Sequence, residues 1–264
     1  MRPLDHIVFN ARDRMDEVAA LFEQLGFIVT ARGHHSLGSI NHTVVFEDDY
    51  LELLGYPPGA PPARRPELVT RPLGLMATVL HSADADATHA ELRQAGLAPR
   101  PVQAFTRPVA LAGGAGGDAS FRVTRLEPDA VPGSWFYFCQ HLTPALVWRR
   151  EWQAHANGAR GMAVLDIGVP DLEAAVPLYA ACTASAAARE VDAMVFQLGA
   201  ARLRLTRAAV GSGMTGLSFH VPSLASLRSR LLREGIRFAR SDAAIDIDPD
   251  ATFGCRLQFV AEAR

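Results

Sequence analysis

The segments LDHIVF at residues 4–9 and YLELL at residues 50–54 carry the pattern that decides the fold. Both alternate in polarity, which is typical of a strand whose side chains point to opposite faces in turn. His6 therefore shares a face with Val8. Glu52 shares a face with Tyr50 and Leu54. A polar residue on an apolar face is costly to bury without a partner. If the two strands are neighbours, an imidazole and a carboxylate face one cavity and form two thirds of a common metal site, or an acid–base pair.

The residues between these two strands predict one small α/β unit. Apolar residues recur at helical spacing over residues 15–25, with Asp13 as a candidate N-cap and Gly26 as a C-terminal stop. The strands expected after this helix lie at residues 27–30, 41–46 and 50–54. The order of the unit is therefore β-α-β-β-β.

The same order returns three times along the chain. The first strands of the later copies are expected at residues 74–81, 162–169 and 216–221. A proline-rich connector at residues 57–62 separates the first copy from the second, because it cannot hold a helix or a central strand. Four repeats of one unit explain the 264 residues better than one irregular fold does.

The composition excludes several classes of protein. Hydrophobic residues make up 49% of the chain, which is enough for a sizeable core. The formal net charge of -2 gives no general attraction to nucleic acid or to an anionic membrane. The 3 cysteines form no CxxC pair, which argues for a reducing compartment. The first residues lack the apolar run of a signal peptide, and no segment is apolar enough to span a bilayer. We therefore expect a cytoplasmic protein.

A glycine-rich stretch, LAGGAGG at residues 111–117, resembles a phosphate-binding loop only in its glycine content. It lacks the Gly-Lys-Ser/Thr ending that such a loop requires, so we do not expect nucleotide binding there.

The repeated motifs resemble a known superfamily. The first copy contains LDHIVFNARD, LFEQLGF and YLELLG, and the later copies contain VLDIGVPDLEAAVPLY and GLSFHVPSLASLRSRLLREGI. These strings resemble the vicinal oxygen chelate superfamily, which includes glyoxalase I, extradiol dioxygenases and bleomycin-resistance proteins. The strings GHHSLGSINH and WFYFCQHLTPALVW are similar to its glyoxalase-like branch. The resemblance covers essentially the whole chain.

The resemblance implies an α+β fold in which four βαβββ modules pair into two curved-sheet domains. The first domain would span residues 1–150, with modules at about 3–56 and 74–143. The second, degenerate domain would span residues 160–264, with modules at about 161–207 and 214–262.

In this superfamily a divalent ion lies in the cup of a module pair, held by a histidine of the first strand and a glutamate of the fourth strand of each module, or by similar residues. Carried over, these positions are His6 and Glu52 in the first module. In the second module Ala77 stands opposite His6, and alanine cannot bind a metal. His141 is the favoured third ligand, because its strand face is in register with that of Glu52. Gln140 is the fallback.

The remaining candidates are substrate-binding residues. A polar loop with adjacent histidines precedes one of the site strands, and loops of this kind often recognise substrates. The predicted substrate-binding residues are His35, Asn41, His42, Tyr137, Gln140 and Arg122. The second half of the chain has Val164 where the first has His6, so we expect no metal there.

Three functions remain open from the sequence. The first is a metal-dependent lyase or isomerase, in which a divalent Zn, Mn, Ni or Fe ion polarises two vicinal oxygens of a small oxygen-rich or aromatic substrate. Glu52 is its catalytic residue, shuttling a proton if the metal is absent or loosely held. The second function is non-catalytic sequestration of a small molecule, which Ala77 favours. The third is an extradiol-type dioxygenase, for which a second histidine ligand is needed. A small-molecule substrate is the expected partner, with no nucleic acid or membrane, and the chain could form a homodimer.

Overall fold

The computed structural model describes residues 1–36, 38–110, 116–209 and 212–262, and its two halves have the same topology. The elements of the first half are β1 (Leu4–Arg12), α1 (Met15–Gln24), β2 (Gly33–His34), β3 (Ile40–Val45), β4 (Tyr50–Gly55), α2 (Glu67–Thr70), β5 (Gly74–His81), α3 (Ala85–Gln94), β6 (Gln103–Ala110), β7 (Gly116–Arg125) and β8 (Trp135–His141). Those of the second half are β9 (Gly161–Val169), α4 (Leu172–Thr183), β10 (Ala188–Arg189), β11 (Ala193–Leu198), β12 (Ala201–Arg207), β13 (Gly213–Val221), α5 (Leu224–Arg233), β14 (Phe238–Arg240), β15 (Ala244–Ile247) and β16 (Arg256–Ala261).

Each half forms one curved sheet of 8 strands. The strand orders are β2-β3-β4-β1-β5-β8-β7-β6 and β10-β11-β12-β9-β13-β16-β15-β14. In the first sheet β1 pairs in parallel with β4 and antiparallel with β5, so the first strands of the two modules lie side by side at its centre. In the second sheet β9 pairs with β12 and β13 in the same way. The predicted α+β fold of paired βαβββ modules is confirmed.

Several predicted boundaries differ from the structure. Residues 27–30 form no strand, and the second strand of the first module is the short β2. The N-cap of α1 is Arg14 rather than Asp13, and no side chain caps that helix. Of the glycine-rich stretch, residues 111–115 lie outside the described residues. Among the described residues, the helices fall short of the length and apolarity that a bilayer crossing requires.

The main apolar core contains buried side chains from both halves. Phe27 of the first half stacks with Phe259 of the second, and its ring centroid lies 5.0 Å from that of Phe219. A second cluster, which includes Val8, Leu54, Val79 and Tyr137, lies on the other face of the first sheet. This concave face carries the cavity described below.

The segment between the halves is fastened to the first half by His155. Its Nδ1 accepts a hydrogen bond from the backbone N–H of Ile28 at 2.9 Å, and its Nε2 donates to the carbonyl oxygen of Val45 at 3.0 Å. The ring is therefore neutral and has a fixed tautomer. Burial lowers the pKa of His155 to about 4, against the hydrogen bond to Val45, which raises it.

We expect this histidine to make the fold sensitive to mild acid. In the unfolded chain an imidazole binds a proton below about pH 6.5, whereas folded His155 does so only near pH 4. Between these two pH values the unfolded state therefore binds more protons than the folded state. As the pH is lowered through this window, the free energy of unfolding decreases by up to about 1.4 kcal/mol per pH unit. Denaturant unfolding at several pH values should show a shallower slope for His155→Gln than for the wild type. His34→Gln, at an exposed position, is the control, and an equal slope in His155→Gln would contradict the assignment.

Candidate functional site

The concave face of the first sheet encloses a cavity between its two modules. Side chains of β1, β3 and β4 line one side, and side chains of β6, β7 and β8 line the other. Of the residues singled out from the sequence, the cavity brings together His6, His35, Asn41, Glu52 and Tyr137.

A β-bulge at the start of β1 directs two neighbouring side chains to this face. Leu4 pairs with Leu80 and His6 pairs with Val79, so Asp5 is an extra residue in the ladder. The carboxylate of Asp5 consequently lies beside the His6 ring, with its Oδ1 2.6 Å from Nδ1.

Asp5 is a buried carboxylate surrounded by three imidazoles. Besides His6, the Nε2 of His141 lies 3.0 Å from it and the Nδ1 of His81 lies 3.6 Å away. Burial raises the pKa of Asp5, but the hydrogen bonds from His141, His6 and His81 outweigh burial and hold this pKa well below its usual value. The ionised carboxylate accepts the Nδ1 hydrogen of His6, and Nε2 of this ring is directed at the cavity.

The second ring nitrogen of His6 faces Glu52. Its Nε2 lies 3.8 Å from Oε2 of Glu52, and the ring stacks on Tyr50 with a centroid distance of 4.3 Å. The parallel pairing of β1 with β4 produces this approach, because it sets Tyr50 beside His6 and Glu52 beside Val8.

Glu52 is ionised and held in place. Its Oε1 accepts a hydrogen bond of 2.7 Å from Nδ2 of Asn41 on the neighbouring strand β3. Burial raises the pKa of Glu52, but the nearby His6 and His35, the Asn41 hydrogen bond and Arg65 together lower it below its usual value.

His35 supplies a second imidazole on the other side of Glu52. Its Nε2 lies 3.9 Å from Oε1 of Glu52, while its Nδ1 is 2.8 Å from Oγ of Ser39. Burial first, and the positive charges of Arg107 and two other arginines second, lower the pKa of His35 to about 4 against the pull of Glu52. The ring is therefore neutral at pH 7 and can offer a lone pair.

These donors suit a divalent cation in their chemistry. Two imidazoles and one carboxylate are the set that Zn, Mn, Ni and Fe commonly accept. The hydrogen bond from His6 to Asp5 is the kind of support that orients a metal-binding histidine. Ligand atoms of one ion with bonds of about 2.1 Å are roughly 3.0–3.4 Å apart. Nε2 of His6 and Nε2 of His35 lie 3.8 Å and 3.9 Å from different oxygens of Glu52, so the three side chains would have to move closer together to bind one ion.

A second group fits a cation less well. Ligand atoms of Asp5, Cys139 and His141 lie within 4.8 Å of one another. However, Asp5 already accepts hydrogen bonds from imidazoles, and burial raises the pKa of the Cys139 thiol well above its usual value. The thiolate that a metal requires is therefore disfavoured there.

Four predicted site residues do not line the cavity. His141, the expected third ligand, lies further along β8 and points its Nε2 at Asp5. His42 contacts the carbonyl oxygen of Thr30 at 2.7 Å, on the opposite face of β3 from Asn41. The alternation of side chains along a strand explains this position.

The other two residues are excluded for the same reason. Gln140 faces away from Tyr137 and Cys139, where its Oε1 accepts a hydrogen bond from the N–H of Ala85 at the start of α3. Arg122 points away from the cavity-lining side of β7 and forms an ion pair with Asp86 at 2.8 Å.

Several residues of the site were missed by sequence reasoning. Asp5 was overlooked because strict alternation assigns it to the face opposite His6, and a bulge leaves no clear signal in one sequence. Arg107 was overlooked because β6 was not predicted as a strand. The spacing of Phe105, Arg107 and Val109, at every second position, could have indicated a strand with these three side chains on one face.

The corresponding cup of the second sheet is occupied by ion pairs. Asp166 on β9 accepts a hydrogen bond from Nε of Arg204 at 2.6 Å and one from Nη1 of Arg256 at 3.2 Å. Arg256 also pairs with Asp246 at 3.0 Å. The charged side chains of this second cup thus neutralise one another, in contrast with those of the first cup.

Comparison with known proteins agrees with this fold. The structure matches a hypothetical protein from Staphylococcus aureus with a TM-score of 0.74 and 12% identity, covering 99% of this chain and 100% of that one. It also matches a 4-hydroxymandelate synthase mutant from Streptomyces coelicolor (TM-score 0.57, 17% identity), covering 100% of this chain and 94% of that one.

A third similar structure is a fusion protein of a xylose isomerase-like TIM barrel with 4-hydroxyphenylpyruvate dioxygenase. The TM-score is 0.64 at 16% identity, and the match covers 100% of this chain and 49% of that one. At such identities the likeness concerns the fold alone. No curated protein matches the chain in sequence.

Family membership rests on the sequence itself. The family described as "Glyoxalase-like domain" matches residues 4–183, which include the whole first sheet and the first strand and helix of the second half. The chain therefore belongs to the glyoxalase-like domain family of the vicinal oxygen chelate superfamily.

Proposed function

We propose that the protein is a metal-assisted lyase or isomerase that moves a proton on a small molecule with two adjacent oxygens. The observation that carries the proposal is the approach of His6 Nε2 to within 3.8 Å of the Glu52 carboxylate in an enclosed cavity. At this distance the two atoms form no direct hydrogen bond, so both remain available to a shared cation or to a proton of a substrate.

The residues that would hold the ion are His6 and Glu52, with His35 as the third donor. A divalent ion bound there would polarise a substrate oxygen and stabilise the negative charge of an enolate-like state.

The chain's own residues would perform the remaining tasks. Asp5 keeps the hydrogen of the His6 ring on Nδ1, so that Nε2 stays available. Glu52 is ionised at neutral pH and can accept a proton from carbon or oxygen of the substrate. Asn41 fixes the direction of Glu52 through its hydrogen bond to Oε1. The aromatic rings of Tyr50 and Phe121 exclude water from the reacting atoms.

A second candidate is an iron-dependent dioxygenase. The observation that favours it is His35, because two histidines and one carboxylate are the donor set of many non-haem iron oxygenases. Proton transfer without oxygen uptake separates the first candidate from this one.

We expect binding of the metal ion to require both His6 and Glu52. Protein purified without chelator should carry about one divalent ion per chain, as measured by elemental analysis. His6→Ala and Glu52→Gln remove one donor each and should reduce the bound ion at least tenfold. His42→Ala, a histidine outside the cavity, should keep it. Circular dichroism checks that each variant is folded, and negligible metal in all of the proteins would contradict the proposal.

We also expect the metal-loaded protein to exchange a carbon-bound hydrogen with solvent. The probes are lactate, mandelate and hydroxyacetone, which carry adjacent oxygens, and the readout is loss of the C–H proton signal in D2O. Glu52→Gln should slow the exchange by roughly 100-fold or more, since it removes the base and also weakens metal binding. Glu47→Gln, at an exposed position, should leave the rate unchanged. The proposed function would be contradicted if no probe exchanged faster than in buffer, or if the Glu52→Gln variant were as active as the wild type.

A further inference from the structure

The wall of the cavity formed by β6 and β7 contains a buried positive charge for which the described residues supply no partner. Arg107 is only 7% exposed, and its side chain lines the cavity. Its guanidinium takes part in none of the hydrogen bonds or ion pairs formed within the described ranges of the chain. A buried charge without a counterion costs several kcal/mol, so an anionic ligand is the natural complement of this group.

The backbone leaves space for this arginine. A Cβ atom on Gly33 would lie 2.4 Å from Oδ1 of Asn41, 2.9 Å from Cδ of Arg107 and 3.0 Å from its Nη1. A side chain at position 33 would therefore require Asn41 or Arg107 to shift. The glycine permits the close approach that keeps Arg107 inside the cavity.

A second guanidinium lies on the same wall. Nη1 of Arg125 donates to Oε1 of Gln103 at 2.8 Å, and the group lies 5.2 Å from the ring centroid of Tyr137. Its Nε is buried and finds no acceptor among the described residues, and the same is true of the Tyr137 hydroxyl. Arg107, Arg125 and Tyr137 thus present donors to the cavity whose acceptors must come from a ligand or from water.

The charges of the cavity are unbalanced in favour of an anion. A third lining arginine, Arg65, is neutralised by its ion pair with Glu67. Glu52 is the acidic residue that lines the cavity, and it faces His6 and His35. Arg107 and Arg125 therefore remain to bind an oxyanion, for which the planar fork of arginine is well suited.

The remainder of this wall is flat and apolar. The rings of Phe105 and Phe121 stack with a centroid distance of 5.2 Å, and Val123 continues the surface along β7. A planar hydrocarbon body could lie against these rings while its charged end reaches the arginines.

We propose that Arg107 and Arg125 form the anchor for an oxyanion head group, so that the substrate is a small organic acid, a carboxylate or a phosphate ester, with a flat apolar body. This proposal rests on the proposed function for the location of the reacting atoms, but it depends on different residues.

The experiment compares isosteric probes by titration calorimetry on the full-length protein. The probes are phenylacetate and phenyl phosphate as anions, with phenylacetamide as the neutral partner of phenylacetate. We expect the wild type to bind at least one anion roughly 10- to 100-fold more tightly than the amide, as hydrogen bonds to charged groups predict. Whichever anion binds more tightly identifies the head group.

Arg107→Gln should remove this preference while leaving the affinity for the amide unchanged. Arg122→Gln removes an arginine that is paired with Asp86 outside the cavity, so it should keep the preference. Equal affinities for anion and amide, binding of neither anion, or an unchanged preference in Arg107→Gln would overturn the proposal.

A further arm separates this proposal from the proposed function. In Glu52→Gln treated with chelator, the metal is removed together with one negative charge of the cavity. The anion preference should persist or increase there if the arginines form the anchor. Loss of the preference in this variant, with retention in the metal-loaded wild type, would mean that a metal ion binds the anion and would overturn the arginine anchor.

Discussion

The site depends on one buried carboxylate. Asp5 has no exposure to solvent in its side chain, and such a group is tolerated only when charged or hydrogen-bonded partners compensate for its lost hydration. The partners here are imidazoles, of which His6 faces the cavity and His81 lies half-exposed on the far side. Because the carboxylate is ionised, it determines which nitrogen of His6 is available to the cavity. The chemistry proposed for Glu52 depends on Nε2 of His6 being the nitrogen that faces it.

The paired modules explain why such a site arises at the centre of the sheet. The strands β1 and β5 lie side by side there and run antiparallel. Side chains of both modules on the concave face of the sheet therefore line one cup. The second sheet repeats the architecture without the site, because Asp166 is neutralised by Arg204 and Arg256 inside its cup. In the first cup the carboxylate of Glu52 instead faces the imidazoles of His6 and His35, and Arg107 on the opposite wall has no carboxylate partner among the described residues. The same fold therefore carries a cup with mutually paired charges in one half and, in the other, the cup for which a reaction is proposed.

Much of the fold could be predicted from the sequence, because period-two alternation and the fourfold repeat report directly on strands and modules. The same alternation identified Glu52 as a residue facing the cavity, and the polar loop before the site strand indicated Asn41. Alternation failed at Asp5, where a bulge shifts the register by one residue, and at residues 27–30, where Phe27 packs against rings of the second half instead of joining the sheet. The register of β8 gave His141 as a third metal ligand, and in the structure its Nε2 is directed at Asp5. Such outcomes depend on contacts between distant segments, which a single sequence does not encode locally.

The most direct test of this account is the tautomer of His6 in the metal-free protein. Long-range 15N–1H NMR distinguishes the two ring nitrogens and shows which of them carries a hydrogen. The account predicts that the hydrogen resides on Nδ1 and that Nε2 is bare, and that Asp5→Asn, whose amide can donate as well as accept, abolishes this preference. A hydrogen on Nε2 in the wild type, or an unchanged tautomer in Asp5→Asn, would contradict the account.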